Sequence, residues 1–376
     1  MRVCQLIEST SGGSVRVALD LTRGLLQVGD DVTFIYSPLR ADEAFYAQKK
    51  GTDGALFLSL PMERSVGWRD LLSFFKLCRL LQKHGPFDVL HAHSSKAGAL
   101  ARLAGVFFSH TKIVYTPHAF VTMAPDASRL YGVIERGLSP LADAIIVVSE
   151  AEKDHALHAI GIAPHRIRVV PNGITFDKSI TRGAARQAMG VDDSVFVVGF
   201  VGRLVEQKNP VRLIEAFSLV SQTHPSLRLV LVGNGPLLPL VEKKIAAMGC
   251  KDKVLFFKNH EAQPLMPAFD ALLSSSDYEG LSLVFLEALQ AGVPIVTTPV
   301  GGVQEAVLSG KTGFVADDFT VESLARALTQ IVDVSQEERQ QMSLASRQHG
   351  EAFTVEAMTR AVRQVYKDVL DGKTAS

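Results

Sequence analysis

Two carboxylates separated by seven residues stand in the stretch Glu279-Gly280-Leu281-Ser282-Leu283-Val284-Phe285-Leu286-Glu287. Such a pair can work as acid and base, as in glycoside hydrolysis. It can also grip one ligand through its hydroxyl groups. The stretch follows Asp270 to Ser276, a short apolar segment with the character of a buried strand, and is stopped by Gly292 and Pro294. A helix from Leu281 to Gln290 is therefore expected, with Glu279 in the strand-to-helix loop and Glu287 about two turns inside. The free N–H groups of that helix start favour an anion-bearing ligand.

A second set of charges lies in Gly199-Phe200-Val201-Gly202-Arg203-Leu204-Val205-Glu206-Gln207-Lys208-Asn209-Pro210. Arg203 and Lys208 follow a buried apolar run, and a helix is expected from near Pro210. Two fixed cations could neutralise a diphosphate, the arginine bidentately; two ordinary surface cations would read the same way. The Gly-x-x-x-x-Gly-Lys spacing of a P-loop is absent. Glycines mark further loops. Ser11-Gly12-Gly13-Ser14 opens a helix over Val15–Leu26 and lets the backbone approach a phosphate or sugar, or simply makes a tight turn. It is not the Gly-x-Gly-x-x-Gly of dinucleotide binding. Val232-Gly233-Asn234-Gly235-Pro236 reads as a tight turn, and Gly301-Gly302 permits close backbone approach to a ligand.

Histidines offer other chemistry. His118, in Tyr115-Thr116-Pro117-His118, follows a strand and could bond a substrate hydroxyl or a phosphate. A lone histidine is as readily solvated or capped. His91-Ala92-His93 puts two imidazoles on one face of a strand, without the further ligands a metal requires. No Asp-x-Asp occurs, so no motif suggests a divalent ion gripping a diphosphate. No metal and no cofactor are expected, and the leaving charge falls to Arg203, Lys208 and backbone N–H groups.

The elements that must position these residues alternate along the chain. Apolar runs at Val3–Ile7, Val32–Tyr36, Val89–Ala92, Ile113–Thr116 and Ala144–Val148 read as strands, with helix-period stretches between them such as Ser14–Leu26 and Trp68–Lys83. A second series follows at Phe196–Phe200, Leu227–Val232, Val254–Phe257, Ala271–Ser274 and Pro294–Thr297, and the pattern is helical after Ser335. This predicts an α/β fold of two doubly wound parallel sheets, broken near Pro171-Asn172-Gly173-Ile174. Sites in such sheets form at the carboxyl ends of the strands, and with two domains the cleft between them is the expected place.

Composition agrees. The chain has 376 residues, 47% hydrophobic and 21% charged, with 39 basic and 39 acidic side chains. Zero net charge provides no global field for nucleic acid. Cys4, Cys78 and Cys250 lack metal spacing and fit a reducing cytoplasm. The first residues read as a strand, not a signal peptide, and no apolar run is long enough to span a bilayer. Trp68 to Leu81 is amphipathic and carries Arg69, Lys76 and Arg79. A crossover helix packed on the sheet and a helix lying on a membrane surface both fit it.

Taken in order, these marks resemble the family-4 glycosyltransferases of GT-B architecture. They are Gly12-Gly13; His118 in Thr-Pro-His; Val148-Ser149-Glu150; Val170-Pro171-Asn172-Gly173-Ile174; Gly202-Arg203 with Lys208; Gly233-Asn234-Gly235; and the Glu-x7-Glu of Glu279 and Glu287. The resemblance covers nearly the whole chain. It implies two Rossmann-like domains facing across a cleft. Residues 1–172 would bind the acceptor, with a C-terminal helix over ~355–376 crossing back onto them, and residues 173–354 would bind a nucleotide sugar. The activity implied is retaining transfer from a nucleotide-activated sugar, a UDP-sugar, to a glycan or lipid-linked acceptor. Arg203 and Lys208 would bind the diphosphate, Glu287 the ribose, and Glu279 the sugar. The backbone of Gly280, Leu281, Ser282 and Leu283 would lie near sugar and phosphate. Gly12, Gly13, Gly202, Gly233 and Asn234 would line the donor site, and His118 would lie beside the reacting sugar. His91-Ala92-His93-Ser94-Ser95-Lys96-Ala97-Gly98 resembles members that build bacterial surface polysaccharides or lipid-linked glycans, which implies a cytoplasmic protein, free or peripheral at the inner face of the membrane. Two features depart from the family. Phe256-Phe257-Lys258-Asn259-His260 lacks the usual glycine, and Ser275-Ser276 replaces the usual Pro-Ser. A nucleotide-sugar epimerase of the same fold and a non-catalytic nucleotide-sugar-binding module are the rival readings.

Overall fold

A computed structural model describes residues 1–373 as two compact units, residues 1–174 with 354–373 and residues 175–353. The break falls between Ile174 and Thr175, two positions past the one expected.

The first unit is a seven-stranded, all-parallel sheet: β1 (Arg2–Ile7), β2 (Asp31–Tyr36), β3 (Leu56–Ser59), β4 (Val89–His93), β5 (Lys112–Thr116), β6 (Ala144–Val147) and β7 (Ile167–Val169), in the order β3-β2-β1-β4-β5-β6-β7. The second unit has β8 (Phe196–Val201), β9 (Leu227–Val232), β10 (Val254–Phe257), β11 (Ala271–Ser274), β12 (Ile295–Thr297) and β13 (Gly313–Val315), in the order β10-β9-β8-β11-β12-β13. Both are doubly wound, with helical crossovers between parallel strands. Their interior strands are almost wholly buried and rich in Val, Ile and Leu, because helices cover both faces. The sequence missed β3, β7 and β13. All three are edge strands of three or four residues, too short and too partially buried to stand out as apolar runs.

The helical tail is not continuous. A helix over Gln336–Gly350 ends, and a new one over Val355–Leu370 is capped by the Thr354 side chain. This second helix belongs to the first unit. It packs on the helix Gly13–Gln27, where a Cβ on Gly24 would sit 2.0 Å from Thr359 Oγ1. Arg363 clamps it to Asp30 at 2.8 and 3.1 Å, and the chain's amino terminus meets the same carboxylate at 2.7 Å. The expected helix end at 376 lies outside the described residues.

The site stretch itself needs one correction. Its strand is Ala271–Ser274, as expected, with Asp270 just before it turned to buried Arg186 and to the Val197 N–H. The helix begins at Leu283, after an extended Ser282, and runs to Ala291. Glu287 therefore sits just over one turn inside, and Gly280 to Ser282 stay in the loop.

Candidate functional site

Strands β8 and β11 are neighbours at the point where the strand order of the second sheet reverses. In parallel sheets this switch point opens a crevice at the carboxyl ends. The loop after β8 carries Arg203 and Lys208, and the loop after β11 carries Glu279. The structure brings Lys208 and Glu279 into contact: Lys208 Nζ donates to Glu279 Oε1, and Ser276 Oγ donates to the same oxygen at 2.8 Å. Glu279 is buried and Lys208 partly so.

A set of short polar side chains holds that meeting in place. Ser275 Oγ bonds the backbone carbonyls of Lys208 and Asn209 at 2.8 and 2.9 Å. Arg212 Nη1 reaches Asp277 Oδ1 at 2.6 Å and the Ser275 carbonyl at 2.9 Å. Gln207 Nε2 donates to the Tyr278 carbonyl at 3.0 Å, and the Asp277 N–H donates to the Gln207 carbonyl at 2.8 Å. Asn209, left-handed at φ 41°, caps the helix Pro210–Thr223 by accepting from the Arg212 N–H. Each loop is thus tied to the other on both sides of the Lys208–Glu279 pair.

Arg203 is different. It is exposed and makes no ion pair or side-chain hydrogen bond among the described residues, so its five donors are available to an oxyanion. Glu287 is 3% exposed and accepts from Gln263 Nε2 at 3.2 Å. The first turn of its helix has no acidic residue and no side-chain cap, which leaves amide donors facing out of the helix start.

The glycines divide by role. A Cβ on Gly233 would lie 2.0 Å from the Gly202 carbonyl oxygen, and one on Gly302 would lie 2.3 Å from that of Gly280. These glycines let loop backbone pack on loop backbone, so the close approach expected of Gly301-Gly302 toward a ligand is, as seen, an approach to Gly280-Leu281. The turn at Asn234 is stitched likewise: its carbonyl accepts from the Leu204 N–H at 2.9 Å, and its side chain accepts from Gly235 N–H at 2.8 Å. Gly12 in the first unit has φ 87° with open space around its Cβ, and precedes the exposed Gly13 at the first helix start.

Also in the first unit, His118 and Ala119 are both left-handed, at φ 55° and 80°. The Glu152 carboxylate pins this strained corner, accepting from Ala119 N–H and Val148 N–H at 2.7 Å each. Burial raises the Glu152 pKa to about 7. His118 Nε2 bonds His93 Nδ1 at 2.9 Å, and burial lowers the His118 pKa to about 4. The imidazoles of His91 and His93 lie with centroids 4.2 Å apart, tilted by 36°. Among the described residues, no group of three or more His, Cys, Asp or Glu is placed to hold a metal ion.

Comparison with known families fits this frame. A family described as Glycosyl transferases group 1 matches residues 181–349, and Glycosyltransferase Family 4 matches residues 11–178. The chain is a glycosyltransferase of GT-B fold. This glycosyltransferase is 27% identical over 276 residues to an Escherichia coli UDP-Gal:alpha-D-GlcNAc-diphosphoundecaprenol alpha-1,3-galactosyltransferase, covering 70% of this chain and 71% of the relative. It is 28% identical over 316 residues to a D-inositol 3-phosphate glycosyltransferase of Corynebacterium urealyticum, covering 77% and 73%. An Anabaena structure solved with UDP and glucose superposes with a TM-score of 0.82 at 21% identity, covering 98% of this chain and 100% of that one, a likeness of fold.

Sequence reasoning had named Arg203, Lys208, Glu279 and Glu287 in the glycosyltransferase but missed what aligns them. Ser276, Asp277, Arg212 and Gln263 carry no motif. The departure at Ser275-Ser276 was the available signal, because both hydroxyls serve the Lys208–Glu279 contact.

Proposed function

We propose that the glycosyltransferase moves a sugar, with retention, from a UDP-sugar to a glycan or lipid-linked acceptor in bacterial surface-polysaccharide synthesis. The observation that carries this reading is the partly buried Lys208–Glu279 pair at the switch point of the second sheet, with Arg203, which has no ion pair among the described residues, on the same loop as Lys208. Lys208 and Arg203 take the diphosphate, Glu279 the sugar hydroxyls and Glu287 the ribose. Amides of Gly280 to Leu283 add positive potential at the helix start. Gly202, Gly233 and Asn234 shape the donor loops, while Gly12, Gly13 and His118 keep the donor-side roles that the resemblance gives them. The E. coli relative is named for a UDP-sugar donor and a diphosphoundecaprenol-linked acceptor, which supports the same two classes here.

In the proposed reaction the bond from sugar C1 to the phosphate oxygen breaks, and the acceptor oxygen bonds C1 on the same face. The departing phosphate oxygen takes the acceptor's proton. No side chain then needs to be a strong nucleophile, no metal is needed, and the cations bear the charge that develops on the diphosphate.

The acceptor reading also has a surface to rest on. The helix Arg69–His84 buries Ser73, Leu77 and Leu81 and exposes Leu71, Leu72 and Phe75. Trp68 is 74% exposed and Phe107 71%, with Phe74 bridging Phe75 and Phe107 at centroid distances of 5.6 and 6.0 Å. Arg64 shortly before this helix and Arg69, Lys76, Arg79 and Lys83 on it are exposed as well. Exposed aromatic residues and cations on one helix suit the interface of an anionic bilayer, and we assign this helix to the inner leaflet. Among the described residues, no helix is long and apolar enough to cross a membrane.

A thermal-shift screen of nucleotide sugars, followed by turnover with a polyprenyl-diphosphate-linked acceptor, tests the function. Conversion of the sugar to its epimer without acceptor points instead to the epimerase, and binding without turnover to the non-catalytic module. Sedimentation with phosphatidylglycerol vesicles at low salt, lost in a Trp68→Ser, Phe107→Ser protein, tests the docking face; no sedimentation of the wild type removes it.

A further inference from the structure

The helix Leu283–Ala291, which carries Glu287, is fixed as a body. Its buried Gln290 side chain donates to the Phe353 carbonyl at 2.9 Å. A Cβ on Gly350 would lie 2.9 Å from the Gln290 nitrogen, so the helix Gln336–Gly350 meets it backbone to backbone. The aim of the Glu287 carboxylate is then a matter of its own side-chain torsions. Ordering such torsions only when a ligand arrives costs affinity, and ordering them beforehand avoids that cost.

Gln263 supplies the order. It stands on the turn between β10 and β11, where its carbonyl accepts from the Met266 N–H at 3.3 Å and buried Leu265 and Met266 anchor the turn. Pro264 and Pro267 stiffen the same turn. From there Gln263 Nε2 donates to two oxygens, the Thr175 carbonyl at 2.9 Å and Glu287 Oε1 at 3.2 Å. A backbone carbonyl can only accept, so the amide nitrogen and not the amide oxygen must face this pair. The amide nitrogen has two N–H donors, one for each partner. Thr175 is the first residue of the second unit, so Gln263 ties the carboxylate to the main chain where it enters that unit. A carboxylate has about four lone-pair sites, enough to accept from Gln263 and from both hydroxyls of a ribose together.

We propose that Gln263 is a positioning residue for the donor's ribose: by bridging Glu287 to the Thr175 carbonyl it presets the carboxylate to accept from the 2′ and 3′ hydroxyls. The ribose contact rests on the function proposed above; the bridge does not. The ribose is remote from the bond that breaks, so the preset carboxylate acts on donor affinity more than on the chemical step.

Calorimetric titration of the protein with UDP and with 2′,3′-dideoxy-UDP tests this. The wild type should bind UDP about tenfold tighter or more, since each ribose hydroxyl gives one hydrogen bond to the carboxylate. Gln263→Leu should bind UDP about tenfold more weakly, the worth of one hydrogen bond, and bind dideoxy-UDP almost as the wild type does. Gln263→Glu, of the same shape but without a donor, should behave likewise. Gln263→Lys, which keeps a donor, should recover most of the preference for UDP. In transfer assays Gln263→Leu should raise KM for the UDP-sugar about tenfold with little change in kcat. A preference for UDP kept in full by the two donorless variants overturns the inference. Equal weakening of both ligands, the mark of lost packing alone, overturns it as well, and either variant suffices if the other does not fold. Equal wild-type affinities for UDP and dideoxy-UDP, or no binding of UDP, overturn the ribose contact in the functional reading and this inference with it.

Discussion

Lys208 and Glu279, 71 positions apart in the chain, share one ion pair with Ser276 as third partner. The pair joins the loops of adjacent strands at the switch point. In the proposed reading a sugar hydroxyl would replace one of the donors that orient Glu279, and Lys208 would turn to an oxyanion.

Arg203 and Lys208 should be equally needed for turnover but not for stability. Either alanine variant is expected to lose ~10²–10³ in rate, the usual worth of one donor to developing charge. The Arg203 side chain makes no ion pair or hydrogen bond among the described residues, so Arg203→Ala should leave the melting temperature unchanged. Lys208→Ala strands a buried carboxylate and should cost ~3 kcal/mol or less, since Ser276 still donates to it. Calorimetry beside steady-state kinetics separates the two effects.

Arg212 contacts no proposed ligand group, yet Arg212→Ala should lower kcat/KM. It frees Asp277 and the Ser275 carbonyl and so loosens one side of the loop latch. Displacements of this kind cost up to ~10²-fold in rate. Unchanged kinetics in a folded variant would show that the latch is not needed.

At Gly302 a methyl group would meet the Gly280 carbonyl at 2.3 Å, and φ is 72°. Gly302→Ala should destabilise the second unit by ~1–3 kcal/mol and weaken donor affinity, because Gly280 must move. Gly12→Ala carries the φ penalty alone, having open space around it. Denaturant titration of both variants reads the difference.

Acid should destabilise the first unit. His91, His93 and His118 have folded values below the unfolded ~6.5, so below that pH the unfolded chain binds more protons. Stability is full above ~6.5 and falls as pH drops toward 4, by about 1.4 kcal/mol per pH unit for each histidine at most. Glu152, raised to about 7, acts oppositely in this window but is one group against three. Melting temperatures from pH 7 to 4.5 should fall, and less steeply in His91→Asn.

The fold was legible wherever burial on both faces wrote a continuous apolar run, as in Ala144–Val147. It was illegible at β3, β7 and β13, where an edge position needs only three or four half-buried residues. The site was legible in its charges, because Arg and Glu beside buried strands are unusual. Its alignment was not: Ser275, Asp277 and Arg212 act through contacts across more than 60 positions. The helix start was misplaced because Leu281 and Ser282 fit a helical pattern, while the backbone at Ser282 is extended.

Acceptor-dependent release of UDP from a panel of UDP-sugars, using a polyprenyl-diphosphate-linked acceptor, tests the central claim most directly. Wild-type protein should release UDP only with acceptor present, and Arg203→Ala and Lys208→Ala should each do so ~10²–10³ times more slowly. Wild-type rates in both variants, or no acceptor-dependent release with any UDP-sugar, would contradict it.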